Sequence, residues 1–103
     1  MPNHMERVQE RFRENRRLAM LRFLAEEPDY RMNTSLMQSA LDAIGVRESR
    51  DVINADAFWL KDVGLVEHED LGPILVLRLT ERGLDVAEGR TVVPGVKRPG
   101  PKG

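Results

Sequence analysis

Arg47, Ser49, Arg50, Asn54 and Lys61 fall within one short stretch, RESRDVINADAFWLK, spanning residues 47 to 61. These side chains suit the recognition of a nucleic acid. An arginine can pair bidentately with guanine and an asparagine with adenine, whereas a lysine or a serine more readily meets phosphate. Arg78, Lys97, Arg98 and Lys102 could add phosphate contacts from further along the chain. Each of these residues has a plainer reading as a solvated surface charge. There is also an objection. Asp51, Asp56 and Asp62 share the stretch, and Glu67, Glu69 and Asp70 follow it closely, so carboxylates would approach the same phosphates.

Catalysis is hard to assemble from this chain, and no catalytic residue, metal ligand set or cofactor is expected. His4 falls in a fraying terminus and His68 in a polar segment, so no two histidines share a helical face at metal-ligand spacing. Glu67, His68, Glu69 and Asp70 could hold a cation weakly, but a solvated turn accounts for them as well. Gly64, Gly72, Gly83 and Gly89 are isolated, so none belongs to a glycine-rich phosphate loop. No serine has a plausible histidine base. There is no cysteine, which excludes disulfides, thiolate metal sites and cysteine nucleophiles together.

The elements that must position the candidate residues follow from periodicity and capping. A chain of 103 residues fits one core, burying roughly 60 to 65 per cent of the surface its unfolded form exposes. With 41% hydrophobic and 32% charged residues, it has the composition of a soluble globular protein. No apolar run is long enough to cross a bilayer, and the N-terminus lacks the apolar segment of a signal peptide, so a cytoplasmic protein is expected. The net charge is −1, but it is unevenly distributed: both ends are basic and the middle is acidic.

Residues Met5 to Glu27 read as one helix ended by Pro28. Its second half is broadly apolar. Its first half carries only a thin stripe through Met5, Val8 and Phe12, which suits a helix-helix contact and makes Phe12 a candidate interaction residue in a homodimer; a solvated helix arm with ion pairs such as Glu10 with Arg13 and Glu14 with Arg17 accounts for it equally well. Arg31 and Met32 read as a short extended segment. Asn33 then caps a second helix, with Met32 and Met37 as a hydrophobic staple and Gly45 as its end.

Ser49 caps the third helix. Ile53, Ala57 and Leu60 point inward with Val52, Trp59 and Val63 flanking them. Arg50, Asn54, Phe58 and Lys61 point outward with Asp56 and Asp62 beside them. Leu65 and Val66 with Ile74 to Leu79 read as two strands, joined by a loop over residues 67 to 73. Thr80 caps a last helix ending at Gly89, in which Gly83 implies a close approach to a neighbour, most simply another helix.

The order is helix, short strand, helix, helix, two-stranded wing and helix. That is a mainly α winged helix-turn-helix, in which the second helix of the tight pair is the one placed in the DNA major groove. Residues 1 to 90 form the domain, with an extended N-terminal helix, and residues 91 to 103 form a basic, mostly extended Pro/Gly-rich tail.

The segment from Leu60 to Val66, LKDVGLV, with LTERGLDVAEG from Leu79 to Gly89, resembles the corresponding parts of bacterial MarR-like and ArsR-like winged-helix regulators. A wider resemblance covers nearly the whole chain. RRLAMLRFLA from Arg16, the NTSL helix start at Asn33, SRD at Ser49, Trp59-Leu60, LTERGLDVA from Leu79 and VPGVKRP from Val93 are together similar to a family of small winged-helix proteins of Mu-like phages and prophages. The resemblance implies a winged-helix fold and a phage-encoded origin, and implies no activity.

Two functional readings follow. One is a phage or prophage DNA-binding protein, acting on double-stranded DNA as a homodimer in transcriptional regulation or as a DNA-associated phage factor. The other is a winged-helix protein-interaction module in phage gene control or assembly that does not bind DNA. In that case Phe58 with Trp59 marks the contact surface, although a core position is the plainer reading of Trp59, and the partner is a phage or host protein.

Overall fold

The computed structural model describes residues 1–100. Four helices surround a three-stranded antiparallel sheet, in the order α1 (His4–Glu26), β1 (Arg31–Asn33), α2 (Thr34–Ala43), α3 (Arg50–Asp62), β2 (Val66–Leu71), β3 (Ile74–Leu79) and α4 (Glu81–Ala87). The spatial strand order is β1-β3-β2, so the short segment at Arg31 becomes an edge strand. Met32 pairs with Leu77, and His68 pairs with the same residue from the other side. The expected order of elements holds, but the sheet is larger than a lone hairpin.

Helix starts follow their caps. Asn33 Oδ1 accepts the Leu36 N–H at 2.7 Å, Ser49 Oγ accepts that of Val52 at 3.3 Å, and Thr80 Oγ1 accepts that of Gly83 at 3.0 Å. At the end of α3 the Gly64 N–H donates to Lys61 and the Leu65 N–H to Leu60, which satisfies carbonyls the helix would leave open. That ending needs Gly64 at φ +79, a conformation in which a side chain would be strained. It turns the chain directly into β2.

The core combines Met20, Leu21 and Leu24 of α1, Met37 and Leu41 of α2, Ile53, Ala57 and Leu60 of α3, Leu77 of β3 and Val86 of α4, all essentially inaccessible. The inward face expected for α3 is therefore correct. The helical spacing of Leu36, Met37, Leu41 and Ile44 predicts one apolar face, but only Met37 and Leu41 are buried; Leu36 and the capping residue Ile44 are exposed.

Three further expectations change. Residues 67 to 71 are not a loop but the outer part of β2, and the connection to β3 is the two-residue turn Gly72-Pro73. Gly83 does approach a neighbour closely, but the neighbour is the backbone of Leu65 leading into β2, with the Leu79 side chain behind it, not a helix. Among the described residues, the Pro/Gly-rich segment after Arg90 has no helix or strand, as its composition implies, yet it does not lead away from the body. Val93 and Val96 are buried in the core, and the Lys97 N–H donates to the Glu14 carbonyl at 3.2 Å. Lys102 lies outside the described residues.

Candidate nucleic-acid interface and the groove beside it

Arg50 is the best positioned of the candidate contacts. It opens α3, is exposed, and its Nε donates to Gln38 Oε1 at 3.0 Å. Gln38 is fixed in turn because its Nε2 donates to the Glu48 carbonyl at 2.9 Å. The guanidinium is thus steadied through one nitrogen, which leaves the terminal pair of donors free. Lys61 is exposed in the last turn, and Ser49 is spent as the N-cap.

Asn54 differs from its expected outward position. It is only partly exposed, and its side-chain oxygen is shielded from solvent with no hydrogen-bond partner. Reading adenine uses both ends of the amide, so in this conformation Asn54 does not present the required pair.

The acids are also rearranged relative to expectation. Asp56 is not beside the outer face of α3 but buried, 2% exposed. One of its oxygens accepts from Arg16 Nε and the other from Arg17 Nε, the latter at 3.1 Å. Arg17 is itself buried. It also donates to the Gly95 carbonyl at 3.1 Å and lies over the Trp59 ring. This cluster ties α1, α3 and the C-terminal segment together, and it cancels a charge that would otherwise have opposed an anion at α3.

The hairpin acids are likewise paired. Glu67 pairs with Arg78, and Glu69 lies 3.0 Å from Arg31 and 3.7 Å from Arg78. Arg78 is thereby committed to carboxylates and is no longer a free cation for phosphate. Of the six acids between Asp51 and Asp70, Asp51, Asp62 and Asp70 are without an ion pair among the described residues. With Asp56 buried, the surface formed by α3 and the β2–β3 hairpin carries Arg50, Lys61 and Arg78 against Asp51, Asp62, Glu67, Glu69 and Asp70, and is net acidic.

Phe58 is 54% exposed, with its inner edge against His68 at 5.2 Å between ring centroids in an edge-to-face arrangement. His68 is on β2 and its Nε2 lies 2.8 Å from the Ala57 carbonyl; since a carbonyl only accepts, Nε2 carries the proton. His68 therefore pins the hairpin to α3. No group of three or more potential metal-ligating side chains gathers among the described residues.

The remaining candidates collect elsewhere. Arg47 and Lys97 line an open groove of about 770 Å³ between α1 and the α2–α3 connection, together with Phe12. Arg98 lines an adjoining open cavity beside α4, which shares Arg22 and Glu26 with this groove. The structure thus brings Arg47, Lys97 and Phe12 together, keeps Arg50 and Lys61 on α3, and separates both groups from Arg78.

Gln38, Arg16, Arg17 and Arg31 did not stand out in the sequence. Arg17 carried a usable signal, since it shares a helical face with Leu21 and Leu24, and a charge on a buried face needs a partner. The other three depend on contacts between distant parts of the chain.

No family model matches the chain, and no solved structure matches it. No helix among the described residues is long and apolar enough to cross a membrane. The chain is 47% identical over 89 residues to a protein described as uncharacterized protein gp26 of Escherichia phage Mu, a match that covers 86% of this chain and 92% of the other. At that identity and coverage, the chain belongs to the family of Mu-like phage proteins that includes gp26.

Proposed function

We propose that this protein is a winged-helix DNA-binding protein of a Mu-like phage or prophage, acting in transcriptional control or on phage DNA. In this reading α2 and α3 form the helix-turn-helix pair, α3 faces the major groove and the β2–β3 hairpin is the wing. The observation that carries it is the placement of Arg50, exposed at the start of α3 and steadied by Gln38 with its terminal nitrogens free. The burial of Asp56 against Arg16 and Arg17 supports it by removing one negative charge from the same helix. With few free cations, the interaction is modest in its electrostatic part. About two or three phosphate contacts correspond to a log–log salt slope of about −2 to −3.

Fluorescence anisotropy on labelled phage and random duplexes at low salt tests this. Arg50→Ala weakens binding by about 1–3 kcal/mol, and Lys61→Ala reduces the salt slope by about 1. Absence of binding to any duplex at low salt refutes the reading.

A second reading, an interaction module in phage gene control or assembly without DNA binding, is favoured by the outward Phe58 ring over His68. It requires a protein partner, retained by the native chain and lost on Phe58→Ala, together with no duplex binding.

A further inference from the structure

The groove between α1 and the α2–α3 connection is distinct from the α3 surface in its chemistry. Its floor is apolar, made by Phe12, Ala19 and Phe23 of α1 with Ile44 and Val46 of the connection, and Phe12 and Ile44 remain 65% and 56% exposed. Met5 and Val8 continue the same stripe toward the N-terminus at spacings of three and four residues. The rim is basic. Arg22, Arg47 and Lys97 line it without an ion pair among the described residues, whereas the lining acids are Glu26 and Glu48, the latter 4.0 Å from Arg16.

An elongated apolar floor between charged walls is the shape that receives an amphipathic helix, which lays residues at i, i+4 and i+7 into the groove. The rim selects the helix by charge. A second copy of α1 is a poor occupant. Its stripe is flanked by Arg11 and Arg22, which have no ion pair among the described residues, so a second copy would set them against Arg22, Arg47 and Lys97 of the groove.

We propose that this groove docks an amphipathic helix of another protein, with aliphatic or aromatic residues on its inner face and acidic residues on its flanks. The binding uses Phe12, Phe23 and Ile44 for burial and Arg22, Arg47 and Lys97 for orientation and selectivity. It is independent of the proposed DNA contact, because Arg50 and Lys61 do not line the groove.

The test uses the full chain labelled with nitrogen-15 and two synthetic helical peptides of about 18 residues, long enough to populate helix on their own. Both carry the same Leu/Phe stripe, one flanked by Glu and the other by Lys. The Glu peptide shifts amides in residues 12–23 and 44–48. Binding weakens about tenfold for Phe12→Ala and for Arg22→Glu/Arg47→Glu, and is unchanged for Arg50→Ala. These variants alter exposed side chains, and their far-UV circular dichroism verifies folding.

Four results overturn the proposal: equal binding of the Lys peptide, no saturable shift with the Glu peptide, shifts confined to other surfaces, or a dimer by sedimentation that Phe12→Ala converts to monomer. Displacement of the Glu peptide by duplex DNA, with shifts at Arg22 and Lys97 instead of α3, would make the groove a nucleic-acid site and also overturn it.

Discussion

The guanidinium carbon of Arg17 lies 3.9 Å from the centre of the Trp59 ring, and the same guanidinium donates to Asp56 and to the Gly95 carbonyl. One buried cation on α1 therefore fixes the orientation of α3 and holds the C-terminal segment against both helices. The surface α3 presents to solvent depends on this internal cluster, because it decides which face carries Asp56.

Replacing Arg17 by Met removes the cation but leaves Asp56 paired with Arg16, so the cost is below that of stranding a buried charge, about 2–3 kcal/mol. Asp56→Asn leaves two arginines facing a neutral amide and costs more, about 3–5 kcal/mol. Urea unfolding of the two variants gives the order. Equal or negligible losses would show that the cluster does not hold the helices.

Gly95 has φ +99, and a Cβ there would lie 2.6 Å from Cζ2 of Trp59. Gly95→Ala therefore displaces the C-terminal segment and costs about 2–3 kcal/mol. Since Trp59 is the only tryptophan, its emission reports the displacement directly. A red shift at low denaturant, before the main unfolding transition, is the expected outcome.

Alanine is the better helix former, yet Gly83→Ala is destabilising. A Cβ at this position collides with the Leu65 carbonyl oxygen, which is backbone and cannot rotate away. The expected loss is about 1–3 kcal/mol by thermal or urea unfolding. A gain in stability would show that α4 can move off β2 at little cost.

Glu67→Gln with Glu69→Gln releases Arg78 and Arg31 from their carboxylates. These pairs are largely exposed, so folding stability changes by less than about 1 kcal/mol. Duplex affinity at low salt rises and the salt slope steepens by about 1 to 2, as one or two cations become available to phosphate. Unchanged affinity would place the hairpin away from DNA.

Much of the local framework was legible in the sequence because it is written in neighbouring residues. The caps at Asn33, Ser49 and Thr80, and the inward face of Ile53, Ala57 and Leu60, depend on contacts within a turn or two. The errors arise where distant segments meet. Asp56 looked like a surface acid because its partners stand 39 and 40 residues earlier in the chain. Glu67 to Asp70 looked like a loop because its polarity masks a strand in which Glu67 and Glu69 pair across the sheet, His68 bonds to α3 and Asp70 is exposed. Val93 and Val96 were hidden among prolines and glycines that disfavour regular structure without preventing burial. The candidate site was less legible than the fold. Arg50 and Lys61 were correctly placed on the exposed side of α3, but the shielding of Asn54 and the joining of Arg47 with Lys97 in one groove follow only from packing.

The most direct test of the central claim is a two-dimensional NMR titration of the nitrogen-15 labelled chain with duplex DNA at low salt. Amide shifts concentrated in residues 49–61 and in the β2–β3 hairpin, and lost for Arg50→Ala, are the result expected of a groove-facing α3. Saturable binding with shifts confined to α1 and the C-terminal segment, or no shift with any duplex, would contradict it.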